Sequence, residues 1–227
     1  MLSTQYSQLG TRNAATRNSL LIYNPGMSEE RARKIKLLLF DVDGVMTDGS
    51  LWFFPAPAGT RQETQERAEK MADAGGYAIS SASVIEAKGF NAHDGTAISL
   101  AHLGGLKTGL ITKRISDTVA LRARDLRLDH VHQGIADKVG VFEEILRQEK
   151  LSAEQGAYMG DDIIDLPVMQ RCGLAIAVPN SRPEVLQAAH YVTEHSGGHG
   201  ALRDAVEYIL RAQGRLEQVI EAYLQAR

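Results

Sequence analysis

From residue 34 onward, short apolar runs alternate with longer amphipathic stretches. The runs at 35–40, 107–111, 156–159 and 174–178 have the length and composition of strands buried on both faces, and 130–131 reads as a shorter one. Between and beyond them, helical spacing of apolar positions predicts helices near 95–103, 116–126, 138–149, 165–170 and 182–188. Strands alternating with helices predict an α/β fold, a Rossmann-like parallel sheet with helices on both faces. In such a sheet ligands sit outside the carboxyl ends of the strands, so any polar residue just beyond a run merits a chemical reading.

Two regions break the rhythm. Residues 51–54 and 84–90 read as the arms of a β-hairpin flap, but 55–83 between them is far too long for a turn. That insertion has Gly59, Gly75 and Gly76 near its ends and a polar, charge-mixed stretch at 60–73, read as one solvated helix on the surface. Beyond Gly200, the positions Ala201, Leu202, Ala205, Val206, Ile209 and Leu210 keep helical spacing, and Leu216, Val219, Ile220 and Tyr223 continue it past Gly214. The opening 28 residues are rich in Ser, Thr and Asn and contain no acid, although Arg12 and Arg17 are present. They read as a loose tail rather than a secretory leader, because 20–23 is shorter than the apolar core of about 7–15 residues that a leader needs. The chain therefore divides into a flexible tail at 1–33, one domain at 34–214 with the hairpin insertion at 55–83, and a C-terminal helix at 215–227.

Composition narrows the function. With 227 residues, 44% hydrophobic and 23% charged, the chain can bury a substantial core. A net charge of −3 argues against a nucleic-acid binder, and no apolar run approaches the roughly 20 residues that span a bilayer. The single cysteine, Cys172, excludes an intrachain disulfide, reads as a small buried apolar side chain, and suits a reducing, cytoplasmic setting.

The chemistry begins where the first run ends, at Asp41-Val42-Asp43-Gly44. Acids two apart on extended backbone share one side, and Gly44 then lets the chain turn away. Their repulsion calls for a divalent cation or a shared proton. A second acidic cluster, Gly160-Asp161-Asp162-x-x-Asp165, follows the run at 156–159; helix capping explains one such acid but not three. Thr112 closes the run at 107–111 and Lys138 opens a helix. Alone, that Thr reads as a cap and that Lys as a solvated charge. Carboxylate pair, hydroxyl, ammonium and acidic cluster, each beside a strand end, together suit phosphoryl transfer through an aspartate. His130 and His132 could face one way as metal ligands do, but without a third His or Cys nearby a structural role is the simpler reading.

Asp41-x-Asp43-Gly44-Val45-x-Thr47-Asp48-Gly49, Thr112, Lys138 and Gly160-Asp161-Asp162-x-x-Asp165 resemble the four signatures of the haloacid dehalogenase superfamily of phosphohydrolases. Phe90-Asn91-x-x-Asp94-Gly95, Ile111-Thr112-x-Arg114, Gln133-Gly134, Asp165-x-Pro167-Val168-Met169 and Gly197-Gly198-x-Gly200-Ala201-x-Arg203 resemble the capless subgroup that contains the 3-deoxy-D-manno-octulosonate 8-phosphate phosphatases. The resemblance implies a magnesium-dependent phosphomonoesterase for a sugar-acid phosphate of lipopolysaccharide biosynthesis. Asp41 would be the nucleophile and Asp43 the acid and base, with Thr112 on the phosphoryl oxygens and Lys138 balancing charge. Magnesium would be held by the carboxylates of Asp41 and Asp161 and the carbonyl of Asp43, with Asp162 and Asp165 ordering its waters and Lys138. Substrate contacts are implied at Glu86, Lys88, His93, Asp94, Lys113, Arg114 and His199.

The same resemblance implies a homotetramer in which the flap, with Trp52, Phe53 and Phe54, and the C-terminal segment of neighbours close the pocket; Gly197 to Gly200 could offer backbone amides to an anion. The chain departs from the subgroup at Lys113, where Gly is usual, and at His93 and His199, where Arg is common, so a carboxylated sugar would be gripped differently. The partner expected is thus a phosphorylated small molecule, with no nucleic acid and no membrane. A different sugar phosphate, a catalytically silent homologue and a phosphoacceptor signalling module are the rival readings.

Overall fold

The computed structural model describes residues 25–57, 77–78 and 84–226. In chain order its elements open with helix α1 (Pro25–Arg33) and strand β1 (Leu37–Phe40). Strands β2 (Trp52–Pro55), β3 (Tyr77–Ala78) and β4 (Val84–Ala87) follow. Next come α2 (Ala92–Leu103), β5 (Lys107–Thr112), β6 (Arg114–Ile115), α3 (Asp117–Leu126), β7 (His130–Gln133) and α4 (Lys138–Glu149). The last part holds β8 (Gly156–Gly160), α5 (Leu166–Met169), β9 (Leu174–Ala177), α6 (Pro183–Ala188), β10 (Tyr191–Val192), α7 (Ala201–Ala212) and α8 (Leu216–Gln225).

Six strands form one parallel sheet in the order β10-β9-β8-β1-β5-β7. The apolar runs are strands because both of their faces are covered. On β1, Leu38 and Phe40 point into a core closed by α1, α2, α3, α7 and α8, whereas Leu37 and Leu39 point into a second core closed by α4, α5 and α6. All four are fully buried, each worth about 1.5–3 kcal/mol of apolar transfer. Cys172 lies in the second core, where burial pushes its thiol up to about 12.

The register of these strands delivers the site. Phe40 pairs with Leu110 on one side and Met159 on the other, and the amide of Asp41 still donates to the Met159 carbonyl at 2.9 Å. Chain order turns from one side of β1 to the other at this place, the crevice where open α/β sheets bind ligands. Asp41, Thr112 and Asp161 leave the sheet edge as neighbours.

Several sequence expectations shift. Residues 25–33, assigned to the loose tail, form α1, held by Tyr208 Oη donating to Ser28 Oγ at 2.6 Å and Arg31 Nη1 donating to the Gly173 carbonyl at 2.7 Å. Only Ser28 and Ala32, four apart, face inward, which is too little apolar periodicity to read. The helix expected from 95 begins at Ala92, because the Asn91 side chain accepts from the His93 amide and caps it. The flap pairs Trp52–Pro55 antiparallel with Val84–Ala87. The helix expected at 60–73 lies outside the described residues, but Tyr77–Ala78 pairs in parallel with Arg114–Ile115 at the pocket wall. Among the described residues there is no large cap domain, and no helix is long and apolar enough to cross a membrane.

The Gly197 to Gly200 turn packs directly on the loop after β1. The Gly198 amide donates to the Val45 carbonyl at 2.9 Å, and a Cβ on Gly197 would collide with the Gly44 carbonyl oxygen. Gly197→Ala should therefore cost about 1–3 kcal/mol, as forced overpacking does. Urea unfolding checks this; a loss below about 0.5 kcal/mol would show that the two loops part freely.

Candidate active site

Asp41 is 4% exposed at the end of β1. Its Oδ1 accepts from the Val42 amide at 2.7 Å, and its Oδ2 lies 2.7 Å from Lys138 Nζ. Lys138 opens α4, where the Asp137 side chain caps the helix by accepting from the Gly140 amide. The Lys138 ammonium also contacts Asp165 Oδ1 at 2.7 Å and donates to Tyr158 Oη at 3.3 Å. The Tyr158 hydroxyl donates to the same Asp165 oxygen at 2.8 Å. Asp165 Oδ2 accepts from the amides of Asp161 and Asp162 at 3.1 and 3.3 Å, so both of its oxygens are committed.

Asp161 differs. Its Oδ1 is buried and has no hydrogen-bond partner. Carboxylate oxygens of Asp41, Asp161 and Asp165 lie within 4.8 Å of one another, with Lys138 as the ammonium among them. Burial, then Asp41, Asp165 and Asp162, push the Asp161 carboxyl up to about 7. Burial raises Asp41 to about 6 although Lys138 opposes it. Burial pulls Lys138 down, but Asp41 and Asp165 outweigh it and leave the ammonium firmer than usual. One ammonium among three carboxylates leaves a deficit of positive charge, and an orphaned carboxylate oxygen faces it. A divalent cation fits that deficit. Because Asp165 is fully engaged with protein donors, Asp41 and Asp161 are the carboxylates with capacity for an ion.

Asp41 and Asp161 open onto a cavity of about 510 Å³ lined also by Asp43, Thr112, Lys113, Arg114 and Asn180. Asp43 is clamped, Oδ2 at 3.1 Å from Arg114 Nε and Oδ1 against Lys88 Nζ, so it must release one cation before it can meet another group. Lys88 sits just past β4 with its side chain fully buried, and Glu86 Oε1, 3.8 Å from it, makes no hydrogen bond. A larger cavity of about 930 Å³ at the amino ends of the strands includes Lys36, Gly105 and Arg215 but a single carboxylate, Glu154. It has no grouping suited to phosphate-ester chemistry.

The structure thus brings together Asp41, Asp43, Thr112, Lys113, Arg114, Lys138, Asp161, Asp162 and Asp165, with Glu86 and Lys88 behind Asp43. It does not bring in three of the implied substrate residues. His93 and His199 are exposed and do not line the cavity. Asp94 is 2% exposed, its oxygens accepting from the Gly200 and Arg203 amides at 3.3 and 3.2 Å, so it anchors the start of α7. Nor do the Gly197 to Gly200 amides form an anion cradle, since they donate to Asn180 Oδ1, Val45, Ser196 and Asp94 respectively. His130 Nε2 meets Glu149 Oε1 at 2.9 Å, on α4 and away from the acids.

Two residues at the site stand outside the sequence expectations. Tyr158 reads as one more apolar position of its strand, yet its hydroxyl reaches Lys138 and Asp165. Asn180 stands just past the run at 174–178, where the rule of polar residues beyond strand ends would have found it.

A profile of the haloacid dehalogenase-like hydrolases matches residues 108–203. The 3-deoxy-D-manno-octulosonate 8-phosphate phosphatase of Yersinia pestis is 37% identical over 188 residues, covering 83% of this chain and 86% of the relative. Its crystal structure superposes with a TM-score of 0.69 at 36% identity, over 84% of this chain and 89% of that one. The Moraxella catarrhalis enzyme of the same name, solved in complex with magnesium ion, phosphate ion and a KDO molecule, gives 0.72 at 28% identity over 88% and 99%. Site geometry, sheet order and these likenesses agree, and the chain belongs to the haloacid dehalogenase-like hydrolase family.

Proposed function

We propose that this chain is a magnesium-dependent phosphomonoesterase that forms an aspartyl-phosphate on Asp41, with a sugar-acid phosphate such as 3-deoxy-D-manno-octulosonate 8-phosphate as substrate. The observation that carries the reading is the buried Asp41–Lys138–Asp165 group beside Asp161, a cavity-lining acid with one buried oxygen that has no hydrogen-bond partner. The carboxylates of Asp41 and Asp161 and the carbonyl of Asp43 would hold the ion, with Asp162 beside it. When bound, magnesium would screen the anionic ester from the carboxylate that attacks it.

The chain's own residues supply the rest. Lys138 holds the Asp41 carboxylate at Oδ2 and the Val42 amide holds it at Oδ1, which fixes its direction for in-line attack on phosphorus. Thr112 donates its hydroxyl to a phosphoryl oxygen. Asp43, once Arg114 turns to the incoming anion and the negative phosphate nearby favours uptake of a proton by its carboxyl, gives that proton to the departing sugar oxygen and then takes one back from the water that hydrolyses the intermediate. Lys113 and Arg114 at the cavity wall suit a second anionic group on the substrate. A related sugar phosphate is the second reading, favoured by the absence of His93 and His199 from the wall.

The reading places the enzyme in the cytoplasm, in keeping with its lone Cys172. It also makes it a homotetramer. Trp52, Phe53, Phe54 and Ile85 are 59, 46, 49 and 41% exposed on a two-stranded flap, an apolar surface that a neighbouring copy would cover.

Purified protein with magnesium should release phosphate from a panel of sugar phosphates, preferring acidic sugars. Asp41→Asn should lower the rate by roughly a thousandfold or more, and Asp43→Asn by about a hundredfold or more. A preference for non-acidic sugar phosphates would refute the substrate, and no turnover by the parent would favour a silent homologue or a phosphoacceptor.

The raised acids fix a pH dependence. Folding without metal binds protons at Asp41 and Asp161 that the unfolded chain has lost above about 4, so their contribution to stability falls as pH rises through 4 to 7. Bound magnesium reverses that loss by taking the deprotonated site. The magnesium-induced rise in Tm should therefore be larger at pH 7.5 than at pH 5, as scanning calorimetry would show. An equal rise at both pH values would contradict it.

Trp52→Ser with Phe53→Ser should convert the tetramer to smaller species in analytical ultracentrifugation. A monomeric parent at micromolar concentration would remove the flap-mediated assembly.

A further inference from the structure

Binding one octahedral ion from two loops requires the loops to be held to within a few tenths of an ångström, since ligands sit at about 2.0–2.1 Å. Here the loops follow β1 and β8, and their acids repel each other. The turn after β9 joins them. The Asn180 side chain donates from Nδ2 to the Gly44 carbonyl at 3.0 Å and accepts at Oδ1 from the Gly197 amide at 2.8 Å. Two residues on, the Arg182 amide donates to the Asp161 carbonyl at 2.9 Å, and Ser181 Oγ donates to the Gly160 carbonyl at 3.4 Å while accepting from the Val178 amide at 3.1 Å. Residues 180–182 therefore grip the Asp43-Gly44 loop with the Asn180 side chain and the Gly160-Asp161 loop with the Ser181 hydroxyl and the Arg182 amide.

The grip acts on a place with no slack. Gly44 has φ +86°, and a Cβ there would overlap the Asp161 carboxylate, so the two loops are in direct contact. The peptide that Asn180 holds is the one immediately after the Asp43–Gly44 peptide. An amide is also the side chain the position needs. It donates to one carbonyl and accepts from one amide without adding charge to a site already crowded with carboxylates.

We propose that Asn180 is a positioning residue for the metal site, setting the Asp43 carbonyl against Asp161 by tying Gly44 to the turn that carries Arg182. This rests on the reading above, in which an ion lies among Asp41, Asp161 and the Asp43 carbonyl.

The test titrates the full-length protein, Asn180→Ala and the near-isosteric Asn180→Leu with magnesium alone, by calorimetry and by metal-dependent Tm shift, without substrate. Both variants should bind magnesium about five- to tenfold more weakly, and the magnesium concentration for half-maximal phosphatase activity should rise by the same factor while kcat at saturating metal stays near the parent. A merely structural role would lower the metal-free Tm and leave magnesium affinity unmoved. Affinity within twofold of the parent in either variant overturns the proposal. Failure of the parent itself to bind magnesium would instead overturn the metal reading, and this proposal with it.

Discussion

The ammonium of Lys138, set between the carboxylates of Asp41 and Asp165, is the interaction on which the site depends. Three acids come together because β1 and β8 are adjacent and parallel, so the loops beyond them leave the sheet side by side. Without a buried cation that arrangement would drive its acids to protonate or the loops to separate. Lys138 offsets part of the charge and leaves Asp161 short of a partner. Burial is the main cause of the raised Asp41 and Asp161 carboxyls, and the neighbouring carboxylates add to it; the shortfall suits the divalent ion that the proposed chemistry requires.

Around that pair the protein uses neutral and backbone groups to hold position. Tyr158 shares the Asp165 oxygen with Lys138, and burial keeps its phenol protonated. Asn180, Arg182 and the Gly197 to Gly200 turn bind the loops to one another. Asp94, remote from the cavity, anchors that turn through the start of α7. Rigidity is built from the elements behind the acids. The wall in front of them carries Lys113 and Arg114, and Arg114 rests on Asp43 with the buried Lys88 behind it.

Sequence carried the sheet because Leu37 to Phe40 or Leu174 to Val178 can be continuously apolar only where helices cover both faces. It carried the acids because they stand just past those runs. It did not carry α1, whose burial rests on Ser28 and Ala32, nor β10, a two-residue edge strand. Tyr158 was hidden by its apolar neighbours, and Asn180 by bonding across 136 residues of separation to Gly44. Asp94, His93 and His199 match the motif but do not line the cavity of their own chain. Motif spacing places a residue near a turn, whereas the direction of its side chain is set by packing between α2 and α7. The pairing of Tyr77–Ala78 with Arg114–Ile115 brings one end of the flap insertion to the pocket wall, a contact that spacing along the chain does not encode.

The central claim is that Asp41 itself takes the phosphoryl group. Acid quenching during steady turnover, borohydride reduction of the acyl phosphate and mass spectrometry of the digested protein test it most directly. The account predicts reduction of Asp41 to homoserine, confined to the peptide that contains it and dependent on substrate. Labelling at another carboxylate, or none while phosphate is being released, would contradict it.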